Sequence, residues 1–214
     1  MGIEETRVYK FEELTDDAKQ NAVGQFAGHD DLYCWSTENT DTLKAFCEMF
    51  CIDSPNFQYG FCNAFIDTVK YNTENDIAEL TGVRLLKYLI NVFWDDVYKP
   101  QFKGSMGHHT KHKRTKNITA KTTKNEYSVY YSAIFYDACC PLTGYGMDYD
   151  ILQPLLDFMR CPDKHSTIDD IINACLSSWL SACSAEYEYA YSTEAITEAI
   201  ESGDYEFTEN GIIF

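Results

Sequence analysis

Three histidines, His108, His109 and His112, stand close enough along the chain to share a metal, and the Cys139-Cys140 pair downstream could add a thiolate. Zinc takes imidazole and thiolate ligands of this kind in a tetrahedral set. Against such a site, Lys111, Lys113, Arg114 and Lys116 surround the imidazoles and repel a further cation. Cys139 or Cys140 with His165 would supply a nucleophile and its base, yet a cysteine pair between an apolar run and Pro141 reads first as core packing. Cys47 and Cys51 stand one helical turn apart beside Phe46 and Phe50, and both are expected to be buried. The chain has no Gly-x-Ser-x-Gly elbow, no phosphate-binding Gly-x-x-x-x-Gly-Lys loop, no Gly-x-Gly-x-x-Gly turn and no His-Glu-x-x-His pair. A calcium loop of alternating aspartates is missing as well. No catalytic residue, metal or cofactor is therefore expected, and the sequence reads as a binding protein rather than an enzyme.

The chemistry that the composition does carry is electrostatic. Seventeen Lys and Arg against 34 Asp and Glu give a net charge of −17 on 214 residues. That balance repels nucleic-acid phosphates and anionic lipid headgroups over most of a surface. The charge is also segregated. Residues 99–124 hold eight Lys and Arg, three of the five histidines and no carboxylate, which leaves −25 on the other 188 residues. After Lys164 no basic residue follows, while Glu186, Glu188, Glu194, Glu198, Glu201 and Asp204 do. Glu194, Glu198 and Glu201 fall at i, i+4 and i+7, so on a helix they line one face opposite Ile196 and Ile200. A solvated surface explains such a face. It also presents carboxylates as a nucleic acid presents phosphates, and would then suit a basic groove on another protein. The basic stretch reads either as an exposed, mobile loop attracted to the acidic body or as a phosphate-contacting arm gripping through Lys111, Lys113, Arg114 and Lys116.

Helices must position these charges. Thr15 is expected to cap a helix with Ala18, Ala22, Val23 and Phe26 inward and Gly28 at its end. A short strand, Val8 to Phe11, precedes it. A second helix is expected from Asp41 to Cys51, stopped by Pro55, then one strand or a hairpin from Asn56 to Val69. Apolar steps of three and four predict a long helix from Asn75 to Tyr98, and a buried strand follows over Glu126 to Tyr136. The last third predicts a helix from Asp148 to Met159, one opened by Ser166-Thr167-Ile168-Asp169 with a stripe through Cys183, and one capped by Ser192 with Ile196, Ala199 and Ile200 inward. Asn210-Gly211 predicts a closing hairpin with positive φ at both residues. The fold expected is α+β, predominantly helical with a small antiparallel sheet and a C-terminal β-hairpin, as one domain with 99–124 inserted.

Nine cysteines, an odd number without a Cys-x-x-Cys pair, point to a reduced, intracellular setting. No apolar run is long enough to span a membrane, and the acidic start does not resemble a signal peptide.

Three stretches carry a resemblance. They are Val8 to Lys19, then Cys140-Pro141-Leu142-Thr143-Gly144-Tyr145 with Asp148-Tyr149-Asp150-Ile151-Leu152, and last Tyr187-Glu188-Tyr189 through Ser192-Thr193-Glu194-Ala195-Ile196 to Tyr205–Gly211. Together, about a third of the chain resembles a broad group of bacteriophage and prophage proteins. Some members of that group are labelled antitoxins of toxin–antitoxin stability systems. The resemblance implies no catalytic residues. It implies a phage protein working in the host bacterial cytoplasm. The expectation is a non-enzymatic inhibitor of a host nucleic-acid-handling defence complex, of CRISPR or restriction type. The alternative is an antitoxin or regulator that binds RNA or DNA through 99–124.

Overall fold

The protein was analysed as a computed structural model. It describes residues 7–28, 32–61, 63–71, 76–93, 97 and 141–214. The basic stretch 99–124, with Lys111, Lys113, Arg114 and Lys116, lies outside these residues, as do His108, His109, His112, Cys139, Cys140 and the strand expected over Glu126 to Tyr136. The described chain is mostly helical with one two-stranded antiparallel sheet, and it divides into two compact units.

The larger unit comprises Thr37–Tyr59 and Asn63–Cys183. Helix α1 (Asp16–Ala27) belongs to the smaller unit; the larger one opens with α2, Ser36–Phe50, whose first residue alone falls in the smaller unit. The α2 stripe Leu43, Phe46, Cys47 and Phe50 is buried as expected. The helix stops at Cys51, four residues ahead of Pro55. Ile52 N–H donates to the Cys47 carbonyl (3.0 Å) and Cys51 N–H to that of Glu48 (3.1 Å), with Cys51 at φ +53°. This left-handed cap turns the Cys51 side chain outward, so Cys47 is buried and Cys51 exposed, against the expectation that both are inside.

The expected strand over Asn56 to Val69 is cut to β1 (Phe57–Gln58) and β2 (Phe65–Ile66), antiparallel with Phe57 opposite Ile66. The extended chain beyond β2 is satisfied by a helix instead of a strand. Asn173 donates to the Val69 carbonyl and accepts from its N–H, both at 3.0 Å, and Asp169 accepts from Tyr71 N–H at 2.7 Å. The expected helix from Asn75 is broken near its start. A 3-10 turn covers Asp76–Glu79 and α3 begins at Gly82, whose φ is +58°, then runs through the described residues 82–93. Leu86, Leu89, Phe93 and Val97 are buried at the expected steps and Leu85 joins them, while Val83, next to the break, is exposed.

Helices α4 (Met147–Arg160) and α5 (Ile168–Ala190) complete this unit's core, with Ile151, Leu155, Ile172, Cys175 and Trp179 fully buried. Pro154 lies inside α4 and has no N–H for the Asp150 carbonyl; the Ser178 hydroxyl of α5 donates to it at 2.7 Å. Asp148 is completely buried in the first turn of α4. Its carboxylate accepts from the backbone N–H groups of Leu142, Thr143 and Gly144 (2.8, 2.7 and 3.1 Å) and from the hydroxyls of Thr143 (2.6 Å) and Thr42 (3.1 Å). Every lone pair is engaged, which is how a buried carboxylate is tolerated. Leu142-Thr143-Gly144 is thus wrapped around an anion.

The smaller unit comprises Met1–Ser36, Gly60–Cys62 and Ser184–Phe214. Thr15 caps α1 by accepting from Ala18 N–H (3.4 Å), and Ser192 caps α6 (Thr193–Ser202) by accepting from Ala195 N–H (3.2 Å). Ala18, Ala22 and Phe26 of α1 pack with Ile196 and Ile200 of α6 around Phe11 and Phe207. Ala199, expected inward, is exposed. The strand expected over Val8 to Phe11 is a single bridge, Tyr9 to Phe207, followed by a 3-10 turn at Phe11–Glu13.

The C-terminal β-hairpin does not form as a pair of strands. Phe207 makes one isolated bridge to Tyr9 and one to Ile213. Around that second bridge Thr208 N–H donates to the Ile212 carbonyl and Phe214 N–H to that of Glu206, both at 2.8 Å, and the pairing extends no further; the turn's own carbonyls, Asn210 and Gly211, accept from Asn21 (2.8 Å) and Gln25 (3.1 Å) on α1. Only Gly211 takes a positive φ, +76°, and a Cβ there would overlap the Ala18 carbonyl.

Candidate functional site

The smaller unit concentrates the charge. Its sequence holds sixteen carboxylates and three cations (Arg7, Lys10 and Lys19), a net of −13 on 70 residues. Glu186 and Glu188 are exposed on the last turns of α5, and Glu194, Glu198 and Glu201 are exposed on α6. With about 100° of turn per residue, the three α6 carboxylates fall within about 60° of arc, opposite the buried Ile196 and Ile200. Seven residues of helix rise about 10 Å, which spaces these charges by about 5 Å along the axis. A duplex carries one charge per about 1.7 Å, or about 3.4 Å per strand. The α6 stripe therefore approaches one strand's charge density and falls well short of a duplex.

Asp204 is held by a cation. Lys10 Nζ donates to it at 2.7 Å, with Glu206 at 3.8 Å. The hydrogen bond to Lys10 holds the Asp204 carboxyl below the usual range, and the same bond raises the Lys10 ammonium. A partner reaching Asp204 has to compete with Lys10. Glu201 sits elsewhere, on the wall of an open groove of about 640 Å³ formed by α1, α6 and adjoining residues. Val23, Gly24 and Ala27 of α1 face Tyr191, Ile196 and Thr197 across it, and Lys19 lies there with its ammonium 5.8 Å from the centre of the Phe11 ring.

An aromatic cluster escapes the sequence pattern. Trp35 packs edge-on to Tyr33 (6.0 Å between ring centroids) and Tyr33 to Tyr187 (5.4 Å), Tyr187 lies tilted against Tyr191 (4.8 Å), and Phe61 contacts both Tyr187 (5.1 Å) and Tyr191 (5.5 Å). Trp35 is 46% exposed and Phe61 57%, so the outer rings remain in solvent. The Tyr187-x-x-x-Tyr191 spacing was the available signal, placing two rings on one helix face. Trp35 and Phe61 arrive from distant parts of the sequence and share no spacing with them.

The thiols divide by burial. Burial pushes the Cys175 thiol up to about 12 and raises that of Cys47, which suits packing and disfavours a thiolate. His165 and Ser166 donate backbone N–H groups to Asp163, both at 2.7 Å, in the turn that leads into α5. Among the described residues, no three His, Cys, Asp or Glu side chains gather as a metal site, and no helix is long and apolar enough to cross a membrane. Compared with protein-family models, curated proteins and solved structures, the chain has no significant match.

Proposed function

We propose that the protein is a non-enzymatic inhibitor that docks its acidic surface into the basic nucleic-acid groove of a host defence nuclease or effector complex, of CRISPR or restriction type, in the bacterial cytoplasm. The observation that supports this reading most is the line of exposed carboxylates Glu194, Glu198 and Glu201 on a unit with sixteen acidic and three basic residues. Like charges at i, i+4 spacing cost an isolated helix about 0.2–0.5 kcal/mol per pair. A face that bears this cost gains when it displaces counterions from a cationic groove. The resemblance to phage proteins supplies the cellular setting.

The experiment is cleavage by a panel of purified restriction and CRISPR effectors with the protein added, followed by binding to any inhibited effector in rising salt. Reversing Glu194, Glu198 and Glu201 to Lys is expected to abolish inhibition, and the wild-type affinity is expected to fall steeply with salt. Affinity that is salt-independent and untouched by the reversal overturns the reading.

A second reading rests on the eight Lys and Arg and absent carboxylates of 99–124: direct RNA or DNA binding by an antitoxin or regulator. A gel shift with host RNA and DNA tests it. Binding lost on neutralising Lys111, Lys113, Arg114 and Lys116 favours this reading over the first.

A further inference from the structure

We infer that the aromatic cluster of exposed Trp35 and Phe61 with half-buried Tyr187 and Tyr191, together with the α1–α6 groove, is a docking site for an extended, arginine-containing segment of a protein partner. The two features are one surface, because Tyr191 packs against Phe61 and Tyr187 and also lines the groove. The inference deepens the proposed function and rests on its premise that the partner presents a basic surface.

Three observations select the occupant. Exposed rings of this kind bind either nucleic-acid bases or cations. Base-stacking sites are lined by cations that hold the phosphates, whereas this unit has three cations against sixteen carboxylates and would repel them. A second copy docking through the same unit would bring that unit's charge of −13 and is disfavoured for the same reason, and the chain's own basic stretch 99–124 holds one arginine against seven lysines. A basic protein segment is complementary on both counts. Its guanidinium groups stack on aromatic faces, Glu188 and Glu194 lie on the two helices that flank Tyr191, and Glu201 lines the groove. The unit already holds cations this way, with Lys19 over Phe11 and the Arg7 guanidinium 5.1 Å from the centre of the Tyr9 ring. Gly24 leaves the groove floor open, since a Cβ there would meet nothing within 4 Å. Arginine is favoured over lysine because its planar, weakly hydrated group stacks where an ammonium stays solvated.

The test uses the full chain and three fluorescent probes: nona-arginine, nona-lysine and a nine-nucleotide single-stranded DNA. At about 0.15 M salt, where screening removes long-range attraction, nona-arginine is expected to bind about fivefold or more tighter than nona-lysine, and the DNA not at all. Trp35→Ala with Phe61→Ala, both at exposed positions, is expected to erase the arginine preference and weaken nona-arginine about tenfold, with thermal unfolding unchanged. Gly24→Gln fills the groove and is expected to weaken the same probe; an unchanged affinity removes the groove from the site. Equal affinity for the two peptides, an arginine preference that survives the aromatic double variant, tight DNA binding, or a dimer dissolved by that variant each overturns the docking site. The triple reversal of Glu194, Glu198 and Glu201 runs alongside. If the arginine preference survives the aromatic variant while the reversal still abolishes effector inhibition, the docking site fails and the acidic-surface reading stands.

Discussion

The two units solve the problem of charge in opposite ways. The larger one carries eighteen carboxylates and fourteen cations on 144 residues and spends one buried carboxylate, Asp148, on structure, with five donors around it. The smaller one carries sixteen carboxylates on 70 residues, and those of α6 all face solvent. An acid that holds the fold together is enclosed by donors, whereas the α6 carboxylates are exposed beside like charges and bury nothing. That contrast separates the Asp148 cluster, which is structural, from the α6 stripe, which we propose as the interface.

The contrast breaks most readily at Asp148. Replacing it by Ala leaves three backbone N–H groups and two hydroxyls without their acceptor and is expected to destabilise the protein by about 3 kcal/mol, read by urea unfolding. A loss below about 1 kcal/mol would remove Asp148 from its structural role. Gly211→Ala sets a Cβ against the Ala18 carbonyl at a left-handed position and is expected to cost about 2 kcal/mol, with faster amide exchange in α1. Ser178→Ala strips the Asp150 carbonyl of the donor that stands in for Pro154 and is expected to cost about 1 kcal/mol.

The α6 stripe predicts the opposite sign. Changing Glu194, Glu198 and Glu201 together to Gln is expected to stabilise the protein by a few tenths of a kcal/mol while weakening partner binding, because it removes like-charge pairs. A measurable loss of stability would instead make the stripe structural. Acid sharpens the same division. Backbone and side-chain hydrogen bonds hold the Asp163 carboxyl down at about 2 and that of Asp170 below its usual 3.8, both at the entry to α5. Folded values below the unfolded ones give stabilisation that is complete above about pH 4 and lost as the pH falls toward 2. Amide exchange at the start of α5 is therefore expected to rise below about pH 3, while the smaller unit is relieved of self-repulsion as its carboxylates protonate.

Local signals carried much of the architecture. Thr15 and Ser192 cap their helices as their positions imply, and the α2 and α5 stripes are buried on the expected faces. At Cys51 and Gly82 a left-handed backbone residue made the structure depart from the expectation; at two other places a long-range contact decided. Val69 and Tyr71 have the composition of a strand, but Asn173 and Asp169 of α5 supply the hydrogen bonds that a neighbouring strand would have given. Asn210-Gly211 does close a turn, with Thr208 N–H donating to the Ile212 carbonyl, but its flanks make single bridges in place of strands and Asn21 and Gln25 on α1 hold the turn's carbonyls. The α6 acidic face was legible because helical spacing is a property of neighbours in sequence. The aromatic cluster was not, because Trp35, Phe61 and Tyr187 meet only after folding.

The sequence by itself determined the segregation of charge, the caps and the helical stripes, since each depends on residues within a few turns of one another. Tertiary structure decided which polar groups are structural and which aromatic rings stay in solvent. Burial and hydrogen-bond partnership are set by groups that lie up to a hundred or more residues away, as Thr42 does from Asp148 and Asn39 from Trp179. No local pattern encodes that distance.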